Sequence, residues 1–141
     1  MDHYPYTKAQ LLLLISFIVN IVLMANALNF NPTITEYFVS DLPQNTSPLN
    51  VHCRSKDDLK VHQLKVDEKF DFSFHQNFWG NTRFHCNFEW GPKHNDFDVF
   101  YKQKSPYIHC IWLVKDSGIF FAQTNNPYPS PIDFRFVYPW L

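Results

Sequence analysis

Short runs of alternating apolar and polar side chains recur about every ten residues along this chain, separated by clusters of Pro, Gly, Asn and Asp. Leu49, Val51 and Cys53 occupy odd positions, and Asn50, His52 and Arg54 even ones. Successive side chains of a strand point to opposite faces, so such a run buries one face and wets the other. Phe70, Phe72 and Phe74 share a face, as do Phe84, Cys86, Phe88 and Trp90, while Phe97, Val99 and Tyr101 oppose Asp96, Asp98 and Lys102. The pattern predicts strands near residues 33–40, 48–54, 61–67, 69–75, 83–90, 96–102, 109–115 and 118–123. Asp116-Ser117-Gly118 reads as a hairpin turn in which glycine takes the positive φ that tight turns need. Seven to eight short strands, with no 3.6-residue period in residues 28–141, predict an all-β fold, a small antiparallel β-sandwich. The stretch from Thr124 to Leu141 fits less simply. Pro127, Pro129 and Pro131 forbid regular pairing, yet Phe134, Phe136, Val137, Tyr138 and Trp140 are too apolar to leave in water. It reads as either a final edge strand or a flap on the sandwich.

Leu11 to Ala25 carries no charge, and only Lys8 and the amino terminus supply positive charge ahead of it. That is the apolar centre of a signal peptide, short of the ~20 apolar residues of a membrane span and interrupted by Asn20. Ala25 and Ala27 place small residues at −3 and −1 of a cleavage point after Ala27. The domain expectation is therefore a signal peptide over 1–27 and one β-sandwich domain over 28–141, secreted and without a membrane span after processing. An uncleaved anchor is the competing reading. Secretion permits disulfides and makes Asn45, in the sequon Asn45-Thr46-Ser47, a glycosylation candidate.

Charge removes one class of partner. With 12 Lys and Arg against 13 Asp and Glu the formal net charge is −1, which gives no basic field for nucleic acid. The six histidines after residue 27 show no His-x-x-x-His pair, and no Cys-x-x-Cys accompanies them, so no metal and no cofactor is expected. His52 and His85 alternate with inward residues and are expected to face solvent. His52, Lys56, Asp57 and Asp58 are the residues a small secreted hydrolase of nuclease type would use. Without a Gly-x-Ser-x-Gly elbow, and with the aspartates in a turn, the reading is not an enzyme. Asn77-Phe78-Trp79-Gly80-Asn81 reads as a hairpin turn with aromatic cover over the sandwich end, against the alternative of exposed rings as a binding anchor. Exposed aromatics would also suit a cell-wall glycan-binding module. Cys53, Cys86 and Cys110 all fall on apolar faces, so any disulfide is a core staple. Three cysteines allow three pairings and leave one thiol over.

Several of these segments together resemble the plant self-incompatibility S1 proteins, also called S-protein homologues. Val51-His52-Cys53-Arg54-Ser55-Lys56-Asp57-Asp58-Leu59, with His62 and Leu64, is similar to the family's cysteine, acidic-turn and histidine segment. Phe72-Ser73-Phe74, Asn77, Gly80, Thr82, Phe84, Cys86, Phe88 and Trp90 match its longest motif. Asp96 to Phe100, and Cys110 to Val114 with Asp116, Gly118 and Ile119, complete the likeness up to about Phe121. Lys60 replaces a usual glycine, the acidic turn is one residue short, and Tyr107 stands where family members carry a fourth cysteine. What the resemblance implies is a small secreted sandwich that acts as a monomeric ligand of a cell-surface receptor protein, with a role in rejecting self pollen or related signalling between cells. Its implied disulfide is Cys53 with Cys110, leaving Cys86 free. The polar loops Arg54 to Lys60, Gly91 to Asn95 and Lys102 to Tyr107 are the expected receptor-facing surface, with Lys93, His94, Lys102 and Lys104 as partner-binding residues.

Overall fold

The computed structural model describes residues 5–28, 31–103 and 107–141 and divides the chain into two compact units, residues 1–31 and 32–141. In the first unit, α1 (Lys8–Leu28) is an apolar helix. Thr7 and Gln10 cap its start reciprocally: the Gln10 N–H donates to Thr7 Oγ1 at 3.2 Å and the Thr7 N–H to Gln10 Oε1 at 2.9 Å. Lys8–Ala25 is long and apolar enough to cross a membrane, a property that signal sequences share.

The second unit is a two-sheet sandwich of nine strands: β1 (Ile34–Asp41), β2 (Leu49–Arg54), β3 (Asp58–Leu64), β4 (Lys69–Phe74), β5 (Arg83–Trp90), β6 (Lys93–Tyr101), β7 (His109–Lys115), β8 (Gly118–Thr124) and β9 (Arg135–Tyr138). One sheet has the order β4-β1-β7-β8-β9 and the other β3-β2-β5-β6. Every pairing is antiparallel except β1 with β7, which run parallel. Between the sheets Phe38 packs on Phe70, Phe72 and Phe88, with ring centroids 5.8–5.9 Å apart. Phe97 lies 5.1 Å from Trp112 and 3.9 Å from Tyr138.

Two strands begin earlier than the alternation indicates. β3 starts at Asp58 rather than 61, and β6 at Lys93 rather than 96, because Gly91-Pro92 alone connects β5 to β6, with Gly91 at φ 55. The tail resolves as an edge strand, β9, antiparallel to β8. Its last residues then reach the other sheet. His94 and Leu141 exchange backbone hydrogen bonds and Asn95 Nδ2 donates to the Pro139 carbonyl at 2.7 Å, while on the tail's own sheet Trp140 Nε1 donates to the Lys115 carbonyl at 2.8 Å.

The disulfide corrects one expectation. Cys53 pairs with Cys86, not with Cys110, and Cys110 is the free, buried thiol. Cys53 and Cys86 are direct register partners on adjacent strands, with Cα atoms 4.0 Å apart. Cys110 lies on β7 in the opposing sheet. Cys53 and Cys86 bond as neighbours within one sheet, while Cys110 sits beside Glu36 and Gln123 within the other.

Glu36 is an unannounced core residue. It is wholly buried on β1, register partner of Cys110, and its Oε2 accepts the Trp112 indole N–H at 2.8 Å. Its Oε1 has no hydrogen-bond partner among the described residues. Burial raises its pKa from 4.5 to about 8, against the lowering influence of the Trp112 N–H and the Cys110 thiol. Burial likewise pushes the Cys110 thiol far above its ordinary range, so that it stays protonated and inert.

Candidate functional site

At the end of the sandwich where β2 turns into β3 and β4 connects to β5, an open groove of about 720 Å³ is lined by both connections and the start of β5. Arg54, Lys56 and Arg83 line it as cations, and Asp57 is its one acidic lining residue among those described. Arg54 and Lys56 have no ion-pair partner among the described residues. Arg83 is oriented instead, its Nε 2.9 Å from Asp98 Oδ2 and its guanidinium 5.3 Å from the Tyr101 ring centroid.

The opposite wall is the loop from Asn77 to Thr82, which is held by its own hydrogen bonds. The Asn77 N–H donates to Thr82 Oγ1 at 2.8 Å, the Asn81 N–H to Asn77 Oδ1 at 3.0 Å and the Gly80 N–H to the Asn77 carbonyl at 3.1 Å. Asn77 Nδ2 also donates to Asn81 Oδ1. Gly80, at φ 66, supplies the left-handed turn this closure needs. Phe78 is 87 % exposed and Trp79 82 % exposed. These rings do not cover the sandwich end, so the aromatic-cover reading is replaced: the loop tightens on its amides and turns its rings outward.

The outer face of β2, β5 and β6 beside the groove is polar and cross-linked. His85 Nδ1 lies 2.8 Å from Asp98 Oδ1 and His85 Nε2 2.9 Å from Asp96 Oδ2. Burial opposes ionisation of Asp98, but hydrogen bonds from His85 and Arg83 outweigh it and hold the carboxyl below its usual range. His52 Nε2 lies 2.6 Å from Asp58 Oδ1, which also accepts the Lys60 N–H at 2.8 Å. These two bonds, His52 first, lower the Asp58 pKa. His52 and Asp58 are thus paired, whereas Lys56 and Asp57 lie in the β2–β3 turn that lines the groove. No group of three or more His, Cys, Asp or Glu able to hold a metal occurs among the described residues.

The expected partner-binding residues do not form one patch. Lys93 and His94 are strand residues at the start of β6, not loop residues, because the connection before them is only two residues long. His94 carries the backbone clamp to Leu141, and Lys93 Nζ sits 5.3 Å from the Trp90 ring. Lys102 follows the other end of β6, roughly 25 Å away at ~3.3 Å per strand residue. Lys104 lies outside the described residues. Asn45 is exposed at the Lys93 end, in the β1–β2 connection beside Trp90 and Pro92. Exposure of Phe78 and Trp79, the alternative to aromatic cover in the sequence, is the arrangement observed, and the side chains of Asn77, Asn81 and Thr82 that close the loop are the signal that favours it.

A family model described as plant self-incompatibility protein S1 matches residues 37–140, including the aromatic tail. S-protein homolog 21 of Arabidopsis thaliana is 35 % identical over 122 residues, covering 79 % of this chain and 88 % of that protein. Self-incompatibility protein S1 of Papaver rhoeas is 30 % identical over 83 residues, 54 % of this chain and 59 % of that protein. A solved structure of SPH (Self-Incompatibility Protein Homologue) proteins, described as small, highly stable and secreted, superposes with a TM-score of 0.60 at 18 % identity. It covers 79 % of this chain and 96 % of its own.

Proposed function

We propose, since this chain belongs to the plant self-incompatibility protein S1 family, that it is a secreted ligand recognised by a protein on a cell surface, in rejection of self pollen or related signalling. The family match over residues 37–140 carries this reading. Two further features support it. The N-terminal helix has the composition of a signal sequence and ends near Ala25 and Ala27. The core is closed by packed aromatics and a disulfide, so polar connections are displayed on a rigid frame, the arrangement that favours recognition by loops.

Lys93 and His94 at one end and Lys102 at the other are separate candidate contacts. The test is capture of plasma-membrane proteins by protein purified from the medium of a plant expression host. Saturable, protease-sensitive binding is expected, together with an intact mass showing Leu28 as the first residue. Nuclease or glycosidase turnover by the same preparation, or retention of residues 1–27, would overturn the corresponding half of the reading.

A further inference from the structure

We propose that the groove between the β2–β3 turn and the Asn77–Thr82 loop binds an acidic oligosaccharide, with a uronic acid ring stacked on Trp79 and its carboxylate directed to Arg54 and Lys56. This goes beyond recognition by a receptor and stands on different observations. A chain of net charge −1 concentrates three cations against one carboxylate in this groove, and two of the cations are unpaired among the described residues. The groove therefore complements an anion. Arg is suited to a planar carboxylate, which its fork of donors meets in a bidentate fashion.

The aromatic wall specifies what carries that anion. A ring the size of Trp79 ordinarily stabilises a fold by being buried, and the loop forgoes that burial. Its amide frame holds the indole outward beside Phe78, with ring planes at 85°, so the platform exists before any ligand arrives. A flat indole face fits the C–H face of a pyranose. Asn77, Asn81 and Thr82, which line the same groove, supply the amide and hydroxyl groups that match sugar hydroxyls. An acidic peptide would use the cations but has no need of a flat, fixed ring. Asn45 lies at the other end of the sandwich, so a glycan attached there leaves the groove open.

Isothermal calorimetry on the secreted protein tests this with three probes: de-esterified polygalacturonate oligomers, the same oligomers methyl-esterified, and polyglutamate of matched charge. The de-esterified sugar is expected to bind more tightly than both others, and less tightly as salt rises. Trp79→Ala is expected to weaken binding at least about tenfold, as removal of a hot-spot aromatic does. Arg54→Gln with Lys56→Gln is expected to weaken it comparably and to flatten the salt dependence, with circular dichroism and Tm unchanged in both variants. Absence of binding, equal binding of the methyl ester or of polyglutamate, or indifference to both variants would overturn the proposal. Membrane-protein capture is scored on the same preparations. Uronate binding that persists where capture fails supports the groove and removes only the receptor reading, while capture without uronate binding overturns the groove alone.

Discussion

Glu36 makes the interior of this protein responsive to pH. Its carboxyl titrates near 4.5 when solvated and at about 8 when folded, so the folded state holds the proton more tightly. The associated stability is complete below pH 4.5 and is lost as pH rises towards 8, an effect on the order of a few kcal/mol. Thermal unfolding should therefore show Tm falling from pH 5 to pH 8. Glu36→Gln, which keeps an acceptor for the Trp112 indole, should flatten that profile and raise Tm at pH 8. Alternation makes Glu36 share a face with Ile34, Phe38 and Ser40, so its direction was legible from parity alone. What parity lacks is the partner, because the Trp112 N–H arrives from a strand 76 residues away. The cysteines teach the same lesson. Their inward faces were legible, but pairing depends on which strands are neighbours. Non-reducing peptide mapping should recover a Cys53–Cys86 peptide and a Cys110 that alkylates only after denaturation. Cys53→Ser with Cys86→Ser should cost roughly 4 kcal/mol for a loop closed over a separation of 33 residues.

The elements most exposed to error in the sequence are those whose ends depend on unusual backbone. At the bulge in the β2–β3 ladder, Leu59 and Lys60 together oppose Cys53, and Lys60 adopts φ 68. This explains the glycine usual in the family at that position and the early start of β3. Lys60→Gly relieves the left-handed strain and should raise stability by a few tenths to about 1 kcal/mol, as read by chemical denaturation. Gly118 has the opposite sensitivity. At φ 140, a Cβ there would lie 2.5 Å from the Phe136 ring and 2.8 Å from the Tyr138 carbonyl. Gly118→Ala should therefore loosen β9 and cost roughly 1–3 kcal/mol, with hydrogen exchange rising first at Arg135–Tyr138. The proline cluster left an edge strand and a flap as equal readings of the tail, and the prolines at 127, 129 and 131 all precede β9 and leave its pairing residues free.

The candidate contact residues fall at two ends of the sandwich, Lys93 and His94 at one and the groove with Lys102 at the other. Lys93→Ala with His94→Ala should leave groove binding unchanged, because these residues flank the C-terminal clamp, and circular dichroism with uronate calorimetry checks the separation. Composition and motif order made the family and the sandwich legible. The division into ends was not, since it follows from nine-residue β6 carrying its two basic flanks apart. A different consequence follows from β1. The first strand sits between β4 and β7, and its parallel seam with β7 joins residues over seventy positions apart. During synthesis β1 must wait with one flank uncovered until residue 115 has emerged, and such distant closure proceeds in milliseconds to seconds. By then residues 49–90 have already supplied β2, β3 and β5, so the covalent bridge is free to form before the oldest strand in the chain gains its second neighbour.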